Sequence, residues 1–362
     1  MKKALAATLV TLISGAALAA CGSSNASPPA QASGAAPSKA TQASTPTHLV
    51  FNPDGTPNLK GLTIKMGMAA GNAHVGDTTI YVLTQYLKKW GANVTFTLGN
   101  SNTTALATVA GRLQVDDGTL PQLVDAGAVL IGPAMEHVDY ILVGNNITSI
   151  QQLKGKSIGV AISTSPDDVL LTPLLQQAGL TPDQVHVVFT QSSSNTVNAM
   201  LTGRLDAGFV HADAWLKLQQ DKNLHILITG SKLAPWMADS FIGANANWLK
   251  SNPALAEAVD LAWLHAARLF NTNTQAWVNY AEEYTHNADP PATVKAIHDA
   301  LATANPWPSD GGGFTTAIVQ QNYNEDKKLG AIKGLGLRPI SDWLDTTPWK
   351  AAVKVFQSGS GS

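Results

Sequence analysis

Apolar and polar residues divide this chain into four stretches with different periodicity. Lys2 and Lys3 precede an uncharged apolar run from Ala4 to Ala20. From Gly22 to about Asn58 the chain is Ser, Ala, Pro, Thr, Gln and Asn with few large apolar residues, too few to offset the entropy of ordering it. Beyond it, short apolar runs of strand length alternate with segments of helical spacing. Leu62 to Met68 reads as a strand, and Asp77 to Trp90 as a helix with Ile80, Leu83, Leu87 and Trp90 on one face, stopped by Gly91. Val94 to Leu98 is the next strand, followed by the polar turn Gly99 to Asn102 and a helix from Thr103 to Arg112.

The same order recurs about ninety residues later. Ser157 to Ile162, Asp167 to Ala178 and Val185 to Phe189 read as strand, helix and strand, and a further helix ends at Gly203-Arg204-Leu205. At an offset of 92, Ser101, Thr104, Ala107, Gly111, Arg112 and Leu113 face Ser193, Thr196, Ala199, Gly203, Arg204 and Leu205, all identical. The pattern points to a duplicated α/β architecture. Alternating strands and helices build parallel-rich sheets with right-handed crossovers, and ligands sit outside the carboxyl ends of such strands. Two copies therefore place a ligand cleft between two lobes, lined by loops Met68 to Asp77, Gly99 to Thr103, Ile162 to Asp167 and Thr190 to Thr196. The rest is helical, beginning with Asn252 as cap and Pro253 in the first turn, and is expected to pack back on the first lobe.

These readings set the expected boundaries. Residues 1–20 are a secretory signal peptide, since a basic start, a short apolar run and small residues follow in that order. Residues 21–58 are an anchored stalk, 59–149 with 240–357 the first lobe, 150–239 the second, and 358–362 a tail. The chain is expected to cross between lobes near Gly144 to Ile150 and near Ala238 to Gly243. Leu18-Ala19-Ala20-Cys21 is similar to the bacterial lipobox, which implies lipidation of Cys21 and anchoring of an extracytoplasmic protein to a bilayer.

Composition narrows the chemistry. One cysteine in 362 residues excludes an intrachain disulfide framework, and the chain has neither H-E-x-x-H nor paired cysteines, so no metal or cofactor is expected. Net charge is -2 from 23 Lys+Arg and 25 Asp+Glu, against a nucleic-acid-binding surface. Gly155-Lys156-Ser157-Ile158-Gly159 matches G-x-S-x-G, but a nucleophile elbow follows a strand and this serine begins one. The same glycine, lysine and serine end no P-loop, because Ile150 stands where its first glycine belongs.

Candidate ligand-binding residues fall into two sets. Ser101 and Asn102, Ser163, Thr164 and Ser165, and Ser193 and Asn195 precede helices, whose free N–H groups favour an anionic ligand group; Asn72, His74 and Asn100 lie in the same strand-end loops. Glu136, His211, Asp213, Trp215 and Trp236, with His137 and Asp239, suit an amine or a stacked ring. The candidate loops contain no Arg.

The lipobox, Ala110-Gly111-Arg112-Leu113-Gln114-Val115-Asp116, Leu153 to Val160 and Gly203-Arg204-Leu205-Asp206-Ala207 together resemble substrate-binding lipoproteins of ABC importers, in the branch for nitrate, sulfonates, taurine and thiamine precursors. The resemblance spans roughly Leu59 to Phe356. It implies a type II periplasmic-binding-protein-like fold, no enzymatic chemistry, and a monomer that closes on a sulfonate- or taurine-like solute and passes it to a membrane permease. A pyrimidine or other amine-bearing solute is the alternative, and a sensor presenting its solute to a signalling partner, or a tethered hydrolase, are alternatives of other classes. The pyrimidine synthases sharing this fold use a cysteine-rich motif that one Cys21 cannot supply.

Overall fold

Among the described residues, ten strands form two five-stranded sheets, each with one antiparallel strand among otherwise parallel neighbours. The computed structural model describes residues 47–359 except 69–72, 100, 162 and 164. The first sheet contains β1 (Thr63–Met68), β2 (Asn93–Leu98), β3 (Val115–Gly118), β4 (Val129–Met135) and β10 (Ser240–Ala244), in the order β2-β1-β3-β10-β4. The second contains β5 (Tyr140–Asn145), β6 (Ser157–Val160), β7 (His186–Phe189), β8 (Ala207–His211) and β9 (Leu224–Thr229), in the order β7-β6-β8-β5-β9. Alternate residues of one strand serve different cores, as the pleat requires. On β5, Ile141 and Val143 join the cluster that includes Ile64, Val115 and Trp263, while Leu142 joins Ile158, Leu174 and Phe209.

The duplication is exact in the helices that follow β2 and β7. These run Ser101–Val109 and Ser193–Leu201, 92 residues apart at both ends. Each is followed by a left-handed glycine, Gly111 at φ 75° and Gly203 at φ 66°, and then by an arginine whose N–H donates back to an alanine carbonyl at 2.9 Å, Arg112 to Ala107 and Arg204 to Ala199. Positive φ is accessible to glycine without steric cost, which explains its place in both copies. The copies extend further than the sequence pattern suggests. The antiparallel strands β5 and β10 each follow an aspartate, Asp139 and Asp239, and lead to an asparagine whose N–H closes onto the other half of its sheet, Asn145 on the Asp206 carbonyl and Asn245 on that of Gln114.

Two expected boundaries move. Because β5 lies in the second sheet, the chain first changes sheet at 136–139, ahead of the expected crossing at Gly144 to Ile150, and the first lobe does not extend to 149. The motif at Leu153 to Val160 marks β6, the second strand of that sheet in chain order; the apolar run before it had already entered it. The return occurs over 230–239. The two crossing segments are held side by side by Val138 N–H to the Met237 carbonyl (3.2 Å) and Asp239 N–H to the Met135 carbonyl (3.0 Å). The expected stalk also ends early, since Leu49 packs against the first core, Asn58 N–H donates to the Val50 carbonyl, and Phe51 bridges Pro57. Leu49-Val50-Phe51 is an apolar triplet within the polar run, enough to dock it. The segment 1–46, including the expected signal peptide and Cys21, lies outside the described residues.

The Pro253–Thr272 helix packs against β4. Gly132 of β4 lies so close to it that a Cβ there would stand 2.2 Å from Asp260 Oδ1, while burial, with Asp345 and Glu257 nearby, holds the Asp260 carboxyl well above the usual carboxylate range. Gly132→Ala is therefore expected to destabilise by about 1–3 kcal/mol, the ordinary cost of overpacking a core, measured by urea unfolding. An unchanged midpoint would show that this helix yields freely. Among the described residues no helix is long and apolar enough to cross a membrane.

Candidate functional site

Between the two sheets, at the strand ends and the crossing segments, lies a cavity of about 270 Å³. Five carboxylates line it: Asp77 before the Thr78–Lys89 helix, Asp117 on β3, Asp139 and Asp239 just before β5 and β10, and Asp213 in the turn after β8. His74 and His211 also line it, and no Lys or Arg does among the described residues. The apolar wall includes Met68, Ile80, Ala134 and Trp307. Trp307 is fixed there because its indole N–H and that of Trp263 both donate to the Ala134 carbonyl at 3.0 Å.

Each imidazole pairs with one of the acids. His74 Nδ1 accepts the Gly76 N–H at 3.1 Å, so its proton sits on Nε2 and is donated to Asp213 Oδ2 at 3.1 Å, joining the first lobe to the second. The hydrogen bond to Asp213 raises the His74 pKa against the effect of burial, but a second proton on Nδ1 would cost the Gly76 bond. Burial alone would lower the pKa of His211. Asp139, 2.8 Å from His211 Nδ1, more than offsets this and raises it well above the ordinary imidazole range.

Three acids have no such base. Burial pushes Asp77 up to about 6, with Asp139 and Asp213 adding and the histidines opposing. Burial also raises Asp117 well above its ordinary value, despite a hydrogen bond from Ser240. Asp239 rises through burial and then through Asp139. Asp117 Oδ1 and Asp239 Oδ1 make no hydrogen bond among the described residues. Carboxyl groups so close resist ionising together, and the charge they lack is positive.

A wider groove of about 920 Å³ adjoins this cavity and shares His74, His211 and Asp213 with it. Its walls come from the Ser193–Leu201 helix, the segment from Ala214 to Gln219, and the Pro291–Ala304 helix.

Of the sequence candidates, the structure brings His74, His211 and Asp213 into both spaces, Asp239 into the inner cavity and Ser193 into the groove. Asn195 is exposed and bonds only to its own turn, its N–H to Ser192 Oγ and its amide to the Thr190 carbonyl. Ser165 donates to Asp167 within its turn, and neither it, Ser163 nor Asn102 lines either space. Glu136 is turned away from the cleft, its carboxyl packed on Gly313 and raised to about 8 by burial and by Asp310. Trp215 packs against the first core, and Trp236 borders a small pocket with Thr119, Asp239 and Asn322, next to the inner cavity but not lining it. Asn72, Asn100, Thr164 and the Ser101 side chain lie outside the described residues. Asp77, Asp117, Asp139 and Trp307 were absent from the expected site; the signal for Asp117 was an Asp-Asp pair in a buried strand ahead of a glycine.

Residues 134–273 match the family model described as NMT1/THI5 like. The match takes in both crossing segments, all of the second sheet, β10 and the start of the helical region. Three solved structures share the fold. A putative periplasmic sulfonate-binding protein, SsuA, of Methylobacillus flagellatus KT is 18% identical, with 82% of this chain and 96% of that one covered at a TM-score of 0.62. The ligand-binding component of an ABC-type import system from Staphylococcus aureus, with zinc bound, is 13% identical, covering 80% and 99% at 0.61. The periplasmic nitrate-binding protein NrtA of Synechocystis PCC 6803 is 12% identical, covering 82% and 89% at 0.60. At these identities the likeness is one of fold, the two-lobed binding-protein fold expected from the sequence. No curated protein matches the chain. Among the described residues no group of three His, Cys, Asp or Glu side chains could hold a metal ion.

Proposed function

We propose that this protein is an extracytoplasmic solute receptor, anchored through lipid on Cys21, that captures a small cation-bearing organic solute between its lobes and delivers it to an ABC permease. One observation carries the choice of solute: five carboxylates and no Lys or Arg line the inner cavity among the described residues. A sulfonate placed there would face acids with no fixed positive partner beyond two histidines already paired to Asp139 and Asp213. A protonated amine, amidine or aminopyrimidine would supply the missing charge and hydrogen-bond donors, which favours the amine-bearing alternative over a sulfonate. Hinge closure follows from the same chemistry, since a ligand shifts the lobes by contacts it makes only when both surround it. The family match and the printed roles of the fold's relatives support a receptor that performs no chemistry.

The test is thermal unfolding of the purified protein with methylammonium, guanidinium, an aminopyrimidine, taurine, methanesulfonate and nitrate. A ligand at a hundred times its Kd adds about 2.7 kcal/mol of stability. Cations are expected to raise the melting temperature and simple anions to leave it unmoved; the reverse pattern would overturn the proposed solute class.

A further inference from the structure

The inner cavity, about 270 Å³, falls below the roughly 300–1,000 Å³ of ordinary small-molecule sites, while the adjoining groove holds about 920 Å³. Their chemistry differs. Acids dominate the first, whereas Val197, Leu201, Leu216, Ala292, Ala296 and Ile297 line the second. Both lobes contribute to that wall, because the Pro291–Ala304 helix packs against the Ala212–Ala214 turn of the second lobe as well as against the Val75–Asp77 turn of the first. Leu201 is 44% exposed, an apolar side chain without enough protein to cover it.

His74, His211 and Asp213 lie where the two spaces meet. His74, 55% exposed in its side chain, reaches Asp213 there, and both residues line both spaces. The two spaces are therefore neighbours across the same three side chains. Resting on the cation reading above, we infer that the groove is a second subsite that takes the apolar body of an elongated solute whose ammonium end occupies the acidic cavity. The solute class is then an amphiphilic cation, with its charged head beside Asp77, Asp117 and Asp239 and its hydrocarbon part passing His74 to lie between Leu201 and Ala296.

The n-alkylammonium ions from methylammonium to octylammonium test this, titrated into the purified full chain by calorimetry at constant ionic strength. Affinity is expected to rise about two- to fourfold per methylene once the alkyl chain is long enough to pass His74, as burial of about 0.8 kcal/mol per methylene, partly realised in an open groove, implies. In Leu201→Asp and Ala296→Asp that slope is expected to vanish, with methylammonium as the reference within each variant and the melting temperature showing that each is folded. Binding of methylammonium with no gain for longer chains would overturn the groove subsite and leave the cation reading standing. A gain that persists in both variants would also overturn it. Should no member bind, the cation reading fails and the subsite with it.

Discussion

Replacing Asp77 and Asp239 together with asparagine is expected to weaken binding of an ammonium ligand about 100-fold or more while making the free protein more stable. Each change removes a charged acceptor, and hydrogen bonds to charged groups contribute about 1.5–3 kcal/mol, roughly 10- to 100-fold in affinity. The two effects will not simply add, because the acids share one cavity and influence each other. The gain in stability has the same origin as the loss of binding. Burial and neighbouring carboxylates disfavour ionised Asp77 and Asp239, and the neutral amides remove that penalty without changing shape. Neither side chain caps a helix or closes a turn: Asp77 makes no capping hydrogen bond and Asp239 Oδ1 has no partner among the described residues. The melting temperature is expected to rise by about 1–3 °C. Calorimetric titration with methylammonium and thermal unfolding of the free double variant check both signs. If the variant binds as tightly as the parent, the acids are not the cation site; if it is less stable, they are structural.

The sequence made the fold legible because its signals are local. Helical spacing, glycine stops and the 92-residue offset fall within short windows, and the helices Ser101–Val109 and Ser193–Leu201 keep that offset at both ends. The site was legible in part, in His74, His211, Asp213 and Asp239. His211 ends β8 and Asp213 follows it, so the strand-end rule finds them, while Asp139 lies just before β5 and reaches the cleft only because that strand runs antiparallel to its neighbours. Strand direction is a long-range property that no local pattern encodes. The serine and asparagine candidates show the opposite failure. Their residue types suit a helix cap and an anion equally, and Asn195 and Ser165 are occupied by their own turns.

The duplication also shows why one cavity is so acidic. At an offset of 92, Asp116 and Asp117 correspond to Gly208 and Phe209. In the second lobe, Gly208 lets the Thr196 methyl approach to where a Cβ would stand, and Phe209 is buried in the core. In the first lobe, Asp116 packs beside Gly67 and Asp117 faces the cavity. The repeated parts hold the scaffold, and the position where the copies diverge supplies the charge.

That charge leads to a second large expected effect, in the pH dependence of binding. Butylammonium keeps its proton from pH 5 to pH 8, since an alkylamine resembles lysine with a pKa near 10. Only the protein titrates in this range. Asp77 is raised from its ordinary value to about 6, and Asp117 and Asp239 are raised as well, so at pH 5 the free cavity holds protons that a cation must displace. Affinity is therefore expected to rise at least tenfold between pH 5 and pH 7.5, about one decade per pH unit for each proton released. Stability of the free protein moves the other way. A carboxyl whose folded pKa lies above its unfolded one is favoured while protonated, and that contribution is lost as pH rises from about 4 through about 6 for Asp77. The ligand-induced rise in melting temperature should accordingly widen with pH as the free protein weakens. A sulfonate would show the opposite slope, because protonated acids repel an anion least and its affinity would fall as they ionise. The sign of one pH series thus separates the two solute classes, and a flat profile for butylammonium would place its ammonium away from Asp77, Asp117 and Asp239.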